Sequence, residues 1–301
     1  MDYKKIIWSR SLRVRILGIL SWVPDWIMVP LQYRIHTGRK LNLKNPKRFT
    51  EKLQVYKLKY RNPLMLRCTD KYEVRKVVEE MGLKDILIPL IGMYDTVEEI
   101  NFENLPSQFV AKTTDGGGGN QVLICRNKER LDEESFRSTL RGWMSMPKSK
   151  NAGREWAYEN GFPRRIIIEK LLESAGHNDL PDYKFFCFDG EVGFVYGIDG
   201  RNFGNGARLG IYTPDFEKME VYRADEIVQS EPMHKPENYE SMVILARCLS
   251  EGFPHVRVDL YNVDGRVYFG ELTFYDGSGY MKYDPDDFDY EAGRMFDVSG
   301  F

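Results

Sequence analysis

Histidine and cysteine are both scarce, with four of each in 301 residues. The histidines form no HxxxH or HExxH pair, so a histidine-based metal site is not expected. The cysteines (Cys68, Cys125, Cys187 and Cys248) stand far apart and form no CxxC pair. That spacing argues against a zinc site and against a disulfide framework. Cys125 and Cys187 lie in apolar or aromatic stretches and read as reduced, buried thiols of a cytoplasmic protein. Neither sign of charge is in excess: 43 Lys and Arg oppose 45 Asp and Glu, giving a net charge of −2. A chain so balanced lacks the global basic character of a nucleic-acid binder. No repeat or low-complexity linker interrupts it. With 42% hydrophobic and 29% charged residues, the composition is that of an ordinary globular protein. The length suits one or two domains with a sizeable core.

Long apolar runs are missing too. The strongest, residues 16–20 leading into 22–30, is broken by Pro24, Asp25 and Pro30 and is too short to span a bilayer as one helix. It carries no small-residue cleavage site, so a signal peptide is not expected. Two readings of it stay open. The commoner use of an apolar helix face is packing on the body of the protein. Trp and Leu beside Lys4, Lys5, Arg10, Arg13 and Arg15 could instead make a membrane-surface element at the inner face of the membrane. Basic residues continue through Arg34, Arg39, Lys40, Lys44, Lys47 and Arg48, whereas Asp284, Asp286, Asp287, Asp289 and Glu291 crowd the end of the chain.

What is present alternates between helical and strand patterns. Residues 49–60 place Leu53, Tyr56 and Tyr60 near one helix face. Asp70 caps a helix that runs through Val74, Val77 and Val78 and stops near Gly82. Residues 86–90 read as a short strand or extended segment. Residues 108–113 and 121–124 read as two strands joined by a glycine turn. A helix over 132–145, a buried strand over 165–172 and another over 183–192 follow. A helix over 238–251 then precedes a hairpin, 255–261 and 267–272, closed by Asp264-Gly265. The mixture is α+β with antiparallel hairpins.

Four constellations carry charge into these elements. In the last hairpin, Arg257 and Asp259 share a strand face, and Glu271 lies on the paired strand. Two carboxylates with an arginine beside them can hold Mg²⁺ against triphosphate oxygens. The arginine would meet charge developing on a transferred phosphoryl group. The alternative is a cross-strand salt bridge. The same stretch partly matches an EF-hand loop, but Leu260 in its first position cannot ligate and the flanks are strands. Lys112 precedes Gly116, Gly117, Gly118 and Gly119, a turn whose backbone N–H groups could approach phosphates. No Gly-Lys-Ser/Thr follows, so it is not a Walker A loop. Glu169-Lys170-Leu171-Leu172 ends a buried strand and could pair with an adenine edge, or simply reach the surface. Asp182 and Lys184 share a face and could hold ribose and phosphate, or pair with each other.

The order of these pieces resembles the ATP-grasp superfamily. A closer resemblance is carried by residues 45–53 (Asn-Pro-Lys-Arg-Phe-Thr-Glu-Lys-Leu), Asp70-Lys71-Tyr72, Gly153-Arg154-Glu155-Trp156, residues 182–190, Arg257-Val258-Asp259-Leu260-Tyr261 and Phe269-Gly270-Glu271-Leu272-Thr273. Together they are similar to the TupA-like ATP-grasp family of teichuronopeptide and bacterial surface-polysaccharide synthesis, over roughly residues 40–290. The resemblance implies an ATP-grasp fold: two α+β lobes with antiparallel sheets clasping ATP, preceded by a helical N-terminal segment. The expected division is a basic, largely helical segment over 1–66, a lobe with the glycine-rich loop over 67–172, and a lobe with the metal-binding carboxylates over 173–301.

The implied activity is a carboxylate–amine ligase working through an acyl phosphate, with ATP and Mg²⁺. The carboxylate would be a uronic acid or similar sugar carboxylate, free or on a sugar nucleotide. The same ATP site would also serve a kinase acting on a hydroxyl, or a non-catalytic nucleotide-binding partner of a polysaccharide assembly complex. The basic N-terminal segment is the expected contact for a membrane or such a complex. By the resemblance, Lys112 and Lys184 contact phosphates, Gly116 to Gly119 cover them, Glu169 to Leu172 form the adenine hinge and Asp182 meets the ribose. Asp259 and Glu271 bind Mg²⁺, and Arg257 stabilises the reacting phosphoryl group. Many ATP-grasp ligases carry Asn two residues after the metal-binding Glu; this chain has Thr273, with Asp276 nearby. Arg154, Arg201, Asn205 and Arg208 are candidates for holding an anionic substrate.

Overall fold

A computed structural model of the chain describes residues 18–117, 121–146, 153–173, 180–200 and 206–301. Among the described residues, the helices named α1 (Asp25–Thr37), α2 (Phe49–Lys59), α3 (Leu64–Thr69) and α4 (Glu73–Glu80) precede the sheets. The strands β1 (Leu90–Tyr94), β2 (Phe109–Thr113), β3 (Val122–Cys125) and β4 (Ile166–Glu169) form one sheet in the order β1-β4-β2-β3. The helices α5 (Glu133–Ser145) and α6 (Trp156–Glu159) fall between β3 and β4. The later strands are β5 (Asp182–Phe188), β6 (Glu191–Asp199), β7 (Arg208–Tyr212), β8 (Tyr222–Arg223), β9 (Ile227–Val228), β10 (His255–Val263) and β11 (Arg266–Thr273), and all of these but β8 form the second sheet. Its order is β11-β10-β5-β6-β7-β9. The helix α7 (Tyr239–Ser250) precedes β10, and the chain closes with β12 (Tyr283–Asp284), paired to β8, and α8 (Asp287–Met295).

Alternation along the strands decides what each sheet face meets. In the smaller sheet, Phe109, Ala111, Ile166 and Ile168 form one apolar face, covered by Phe136 and Leu140 of α5. Val110, Lys112, Ile167 and Glu169 lie on the other. In the larger sheet, Phe185 stacks near Tyr239 of α7, and the Cys187 thiol sits against the Ala246 carbonyl. The opposite face is aromatic at one end, where Phe186 and Phe188 pack around Phe49 of α2 and His255. At its other end that face carries the charged residues Asp182, Lys184, Arg257 and Asp259.

Local signals set the element ends. Asp70 Oδ1 accepts from the Tyr72 and Glu73 N–H groups at 2.9 Å, and Gly82 closes the stretch after α4 with φ 77°. The β10–β11 turn uses Asp264 and Gly265 with φ of 50° and 81°, the twist a two-residue hairpin needs. Of the stretch expected over 86–90 as a short strand or extended segment, Ile86 ends a 3-10 turn (Lys84–Ile86), Leu87 is extended, and the strand itself runs over 90–94. Pro89 has no N–H to give a ladder; its carbonyl accepts from Lys170, and pairing with β4 starts only at Leu90. The basic and acidic ends of the chain meet: Arg48 binds Asp286 at 2.7 Å, and Asp289 receives the Thr50 N–H and hydroxyl. No helix among the described residues is long and apolar enough to cross a membrane.

Candidate active site

The larger sheet fixes one half of the site. Strand register puts Lys184 and Glu271 on either side of Asp259, so three charged residues form a row across β5, β10 and β11. Glu271 gains this position through a bulge between Asp259 and Leu260. Gly270 permits it, because a Cβ there would stand 3.0 Å from the Asp259 carbonyl oxygen.

Arg257 ties the row together. Its Nε and Nη2 donate to the two oxygens of Asp259 at 2.7 Å each. Nη2 also donates to Glu271 Oε1 at 3.2 Å and to Thr273 Oγ1 at 3.0 Å, and Nη1 donates to Asp276. Lys184 donates to Asp259 and lies 2.8 Å from Asp182. Burial works against the charge on Arg257, but Asp259, Asp276 and Glu271 hold its pKa well above the ordinary value. Burial likewise opposes the Lys184 ammonium, and Asp182 and Asp259 outweigh it. Burial also opposes ionisation of Glu271, yet Lys71, Arg257 and Lys184 hold its carboxyl down at about 2. Glu271 is therefore a carboxylate at any working pH, and its side chain remains 40% exposed.

The smaller sheet supplies the other half. Lys112 Nζ lies 2.6 Å from Glu169, whose second oxygen receives Arg75 of α4 at 2.9 Å. The glycine turn begins at Gly116, where a Cβ would stand 2.7 Å from Thr113 Oγ1 and 2.9 Å from Gln121 Oε1. A side chain there would displace the Thr113 and Gln121 side chains from their mutual hydrogen bond. Lys71 joins the two halves. Its N–H donates to the Thr114 carbonyl at 2.9 Å, its ammonium donates to the Gly116 carbonyl, and its charge acts on both Glu271 and Lys112.

The residues singled out in the sequence thus fall into two networks. Asp182, Lys184, Arg257, Asp259, Glu271 and Thr273 form the first; Lys112 and Glu169 form the second. Lys170 is anchored through its N–H to the Pro89 carbonyl at 2.9 Å, with Leu171 and Leu172 half-buried after it. Two candidates for an anionic substrate are placed elsewhere. Arg154 is buried and holds the N-terminal segment: its guanidinium donates to the carbonyls of Leu20 and Val23 at 2.7 Å and to Asp25 at 2.8 Å. With its donors directed there, it belongs to the clamp on α1 and not to a substrate pocket. Arg208 pairs with Asp199 at 2.8 Å on β6. Gly118, Gly119, Arg201 and Asn205 lie outside the described residues. Sequence reasoning gave no role to Lys71 or Arg75, and treated Asp276 only as a neighbour. Lys71 stood within Asp70-Lys71-Tyr72, which was the available signal. Arg75 carried none, because its partner is 94 residues away.

The donor set can be tested against Mg²⁺. That ion is usually held by one or two carboxylates, with phosphate oxygens and water completing the shell. Asp259, Glu271 and the Thr273 hydroxyl meet that demand. Both Asp259 oxygens are engaged by Arg257 and Lys184, so a cation there must exchange with those contacts. Among the described residues no group of three or more His, Cys, Asp or Glu could hold a metal alone. The set fits an ion shared with phosphate and does not fit a resident structural metal.

A family model described as TupA-like ATPgrasp matches residues 51–297. Among solved structures, the D-alanine–D-alanine ligase of Bacillus anthracis is 18% identical, covering 69% of this chain and 57% of that one with a TM-score of 0.41. The D-alanine–D-alanine ligase of Helicobacter pylori is 13% identical, covering 76% and 61% with a TM-score of 0.41. The ADP complex of N5-carboxyaminoimidazole ribonucleotide synthetase is 14% identical, covering 70% and 45% with a TM-score of 0.42. The chain spans 45 to 61% of the length of these three structures. No curated protein sequence matches it.

Proposed function

Since the chain belongs to the TupA-like ATP-grasp family, we propose that it is an ATP-dependent ligase that joins a carboxylate to an amine. The observation that carries this reading is the Lys184–Asp259–Glu271 row, bound by Arg257 and linked through Lys71 to the glycine turn of the other lobe. Such an arrangement has cations for a triphosphate on both sheets and carboxylates for its metal on the larger one.

In this reading Lys112 and Lys184 hold phosphate oxygens beneath the turn that starts at Gly116. The Lys170 N–H is bonded to Pro89, which leaves adenine to the backbone of Leu171 and Leu172. Asp182 serves the ribose. Asp259, Glu271 and Thr273 hold Mg²⁺, which when bound neutralises triphosphate charge. An oxygen of the substrate carboxylate attacks the γ-phosphorus; ADP departs and an acyl phosphate remains. The amine nitrogen then attacks the acyl carbon, phosphate leaves, and the nitrogen loses a proton to give the amide. Arg257, already fixed in place by Asp259 and Asp276, meets charge on the moving phosphoryl group without reorganising. The family resemblance supports a uronic acid or similar sugar carboxylate as the acid, within surface-polysaccharide synthesis; that step rests on analogy with the family.

The test is ADP release from Mg-ATP with uronic acids and UDP-uronates, with and without a panel of amines, followed by mass spectrometry. ADP together with a product one water lighter than acid plus amine supports the ligase. ADP with a stable phosphorylated product and no need for amine makes the protein a kinase. Binding of ATP without turnover for any acceptor makes it a nucleotide-binding partner.

A further inference from the structure

The described chain exposes large apolar side chains in one place above all others. Ile19, Trp22, Trp26, Ile27, Leu31 and Ile35 are all exposed, with Trp22 at 78%, Ile19 at 71% and Trp26 at 69%. They occupy the outer face of α1 and the turn before it. On a helix of 3.6 residues per turn, Trp26, Pro30, Arg34, Ile27, Leu31 and Ile35 fall on one half of the circumference. The other half carries Met28, Val29, Gln32 and Tyr33, which are buried.

That inner half is firmly held. The Tyr33 hydroxyl bonds Thr50 at 3.0 Å, His36 stacks on Tyr280 at 4.4 Å, and Tyr280 donates to Gln32 at 3.1 Å. The Arg154 clamp fixes the preceding turn through the carbonyls of Leu20 and Val23. The outer face is therefore presented on a rigid support and is no frayed end.

Charge identifies what covers it. Residues 1–48 contain eleven Lys and Arg against two Asp, in a chain whose net charge is −2. Arg39 and Arg48 are taken up by Asp286 and Asp289. Arg34 and Lys40 stay exposed on and after α1, as do Lys44 and Lys47 beyond it. The sequence just before the exposed face adds Lys4, Lys5, Arg10, Arg13 and Arg15, with Trp8 among them. A helix lying flat with Trp, Leu and Ile on one face and Arg and Lys beside them is suited to the boundary between lipid headgroups and acyl chains. Nearby basic side chains are attracted to anionic headgroups. A second protein copy would have to bring this same basic surface against itself.

We propose that the outer face of α1, with Ile19 and Trp22, docks on an anionic lipid bilayer, with Trp22 and Trp26 inserted at the headgroup level. The proposal does not depend on the ligase reading, and its test does not use activity. The full chain is mixed with vesicles of phosphatidylcholine alone or with added phosphatidylglycerol, and bound protein is measured by sedimentation. Binding to the anionic vesicles is expected, with little to the neutral ones, and is expected to weaken at salt of about 1 M, where charge acts over only ~3 Å. The double variant Trp22→Glu, Trp26→Glu changes only exposed side chains and is expected to lower the partition coefficient about tenfold or more. Quenching of tryptophan fluorescence by brominated lipid is expected in the parent and lost in the variant. Equal binding to both vesicle types, or binding and quenching that survive the double substitution, overturns the proposal. So does a lipid-free dimer, seen by analytical ultracentrifugation, that the double variant dissociates, because the face then belongs to a second copy.

Discussion

At the scale of single residues, neighbours decide what a carboxyl or an imidazole can do. Glu271 is the carboxylate of the row that is both ionised and accessible. Replacing it with Gln keeps the shape and removes the charge. Mg²⁺-dependent turnover is expected to fall by about a hundredfold or more. Thermal stability should change by less than about 1 kcal/mol, as for a partly exposed surface charge. Turnover and melting measured on one preparation check this; unchanged turnover removes Glu271 from the metal site.

His255 makes the opposite case. It is buried between the rings of Phe49, Phe188 and Phe296, and its Nδ1 lies 2.9 Å from the Cys187 carbonyl. Burial pushes its pKa from 6.5 to about 4. Between those values the unfolded chain binds a proton that the native state refuses. Stability therefore declines as pH falls from 6.5 towards 4, by at most about 3 kcal/mol from this group. His255→Phe adds a constant cost of about 1–3 kcal/mol for the orphaned carbonyl, but its melting temperature should depend less on pH across that window. Parallel curves for parent and variant would show that the acid sensitivity arises elsewhere. The sequence marked Glu271 through its alternation with apolar neighbours and a paired strand. It offered no sign of the state of His255, because the three aromatic walls come from three separate segments.

At the scale of elements, the sequence was most legible where the signal is local. The helices at Phe49–Lys59 and Glu133–Ser145 and the Asp264-Gly265 hairpin stand within one or two residues of their expected positions. In the stretch over 86–90, expected as a short strand or extended segment, pairing starts only at Leu90, since apolar content alone does not show that Pro89 delays the ladder. The role of Arg154 was hidden for another reason. A buried arginine of left-handed φ, 56°, looks in sequence like any basic residue beside a glycine. Its three hydrogen bonds to the segment before α1 are charge-assisted and enclosed. Arg154→Ala is expected to lower the opening free energy of α1 by about 2–3 kcal/mol. Hydrogen exchange across Asp25–Thr37 should then speed up while β5 and β10 keep their protection. Equal protection of α1 in both proteins would mean that the buried face of the helix suffices without the clamp.

At the scale of the whole molecule, one core runs across residue 67. Cys68, Val74, Val77, Val78 and Leu87 join the core of the larger sheet together with Phe49, Leu53 and Tyr56. Helical periodicity shows that a face is apolar, but not which sheet will cover it. One consequence is that α4 and the turn before it are fixed to the larger lobe while reaching the smaller one. Lys71 sits at that junction, bonded through its N–H and its ammonium to the residues leading into the glycine turn. Its charge is also the largest influence favouring ionised Glu271. Lys71→Ala should therefore act twice. Loss of the tie to Gly116 is expected to weaken Mg-ATP binding about tenfold near neutral pH. Loss of the charge lets the Glu271 carboxyl titrate nearer its ordinary range, so affinity should fall further in the variant than in the parent at about pH 4. Lys71→Arg keeps the charge and should keep the parent's pH profile even if the fit to the turn is poorer. Titrations with a fluorescent ATP analogue and Mg²⁺ at both pH values, on all three proteins, separate the two effects. If affinity falls equally at both pH values in Lys71→Ala, the residue secures the glycine turn but does not set the charge state of Glu271.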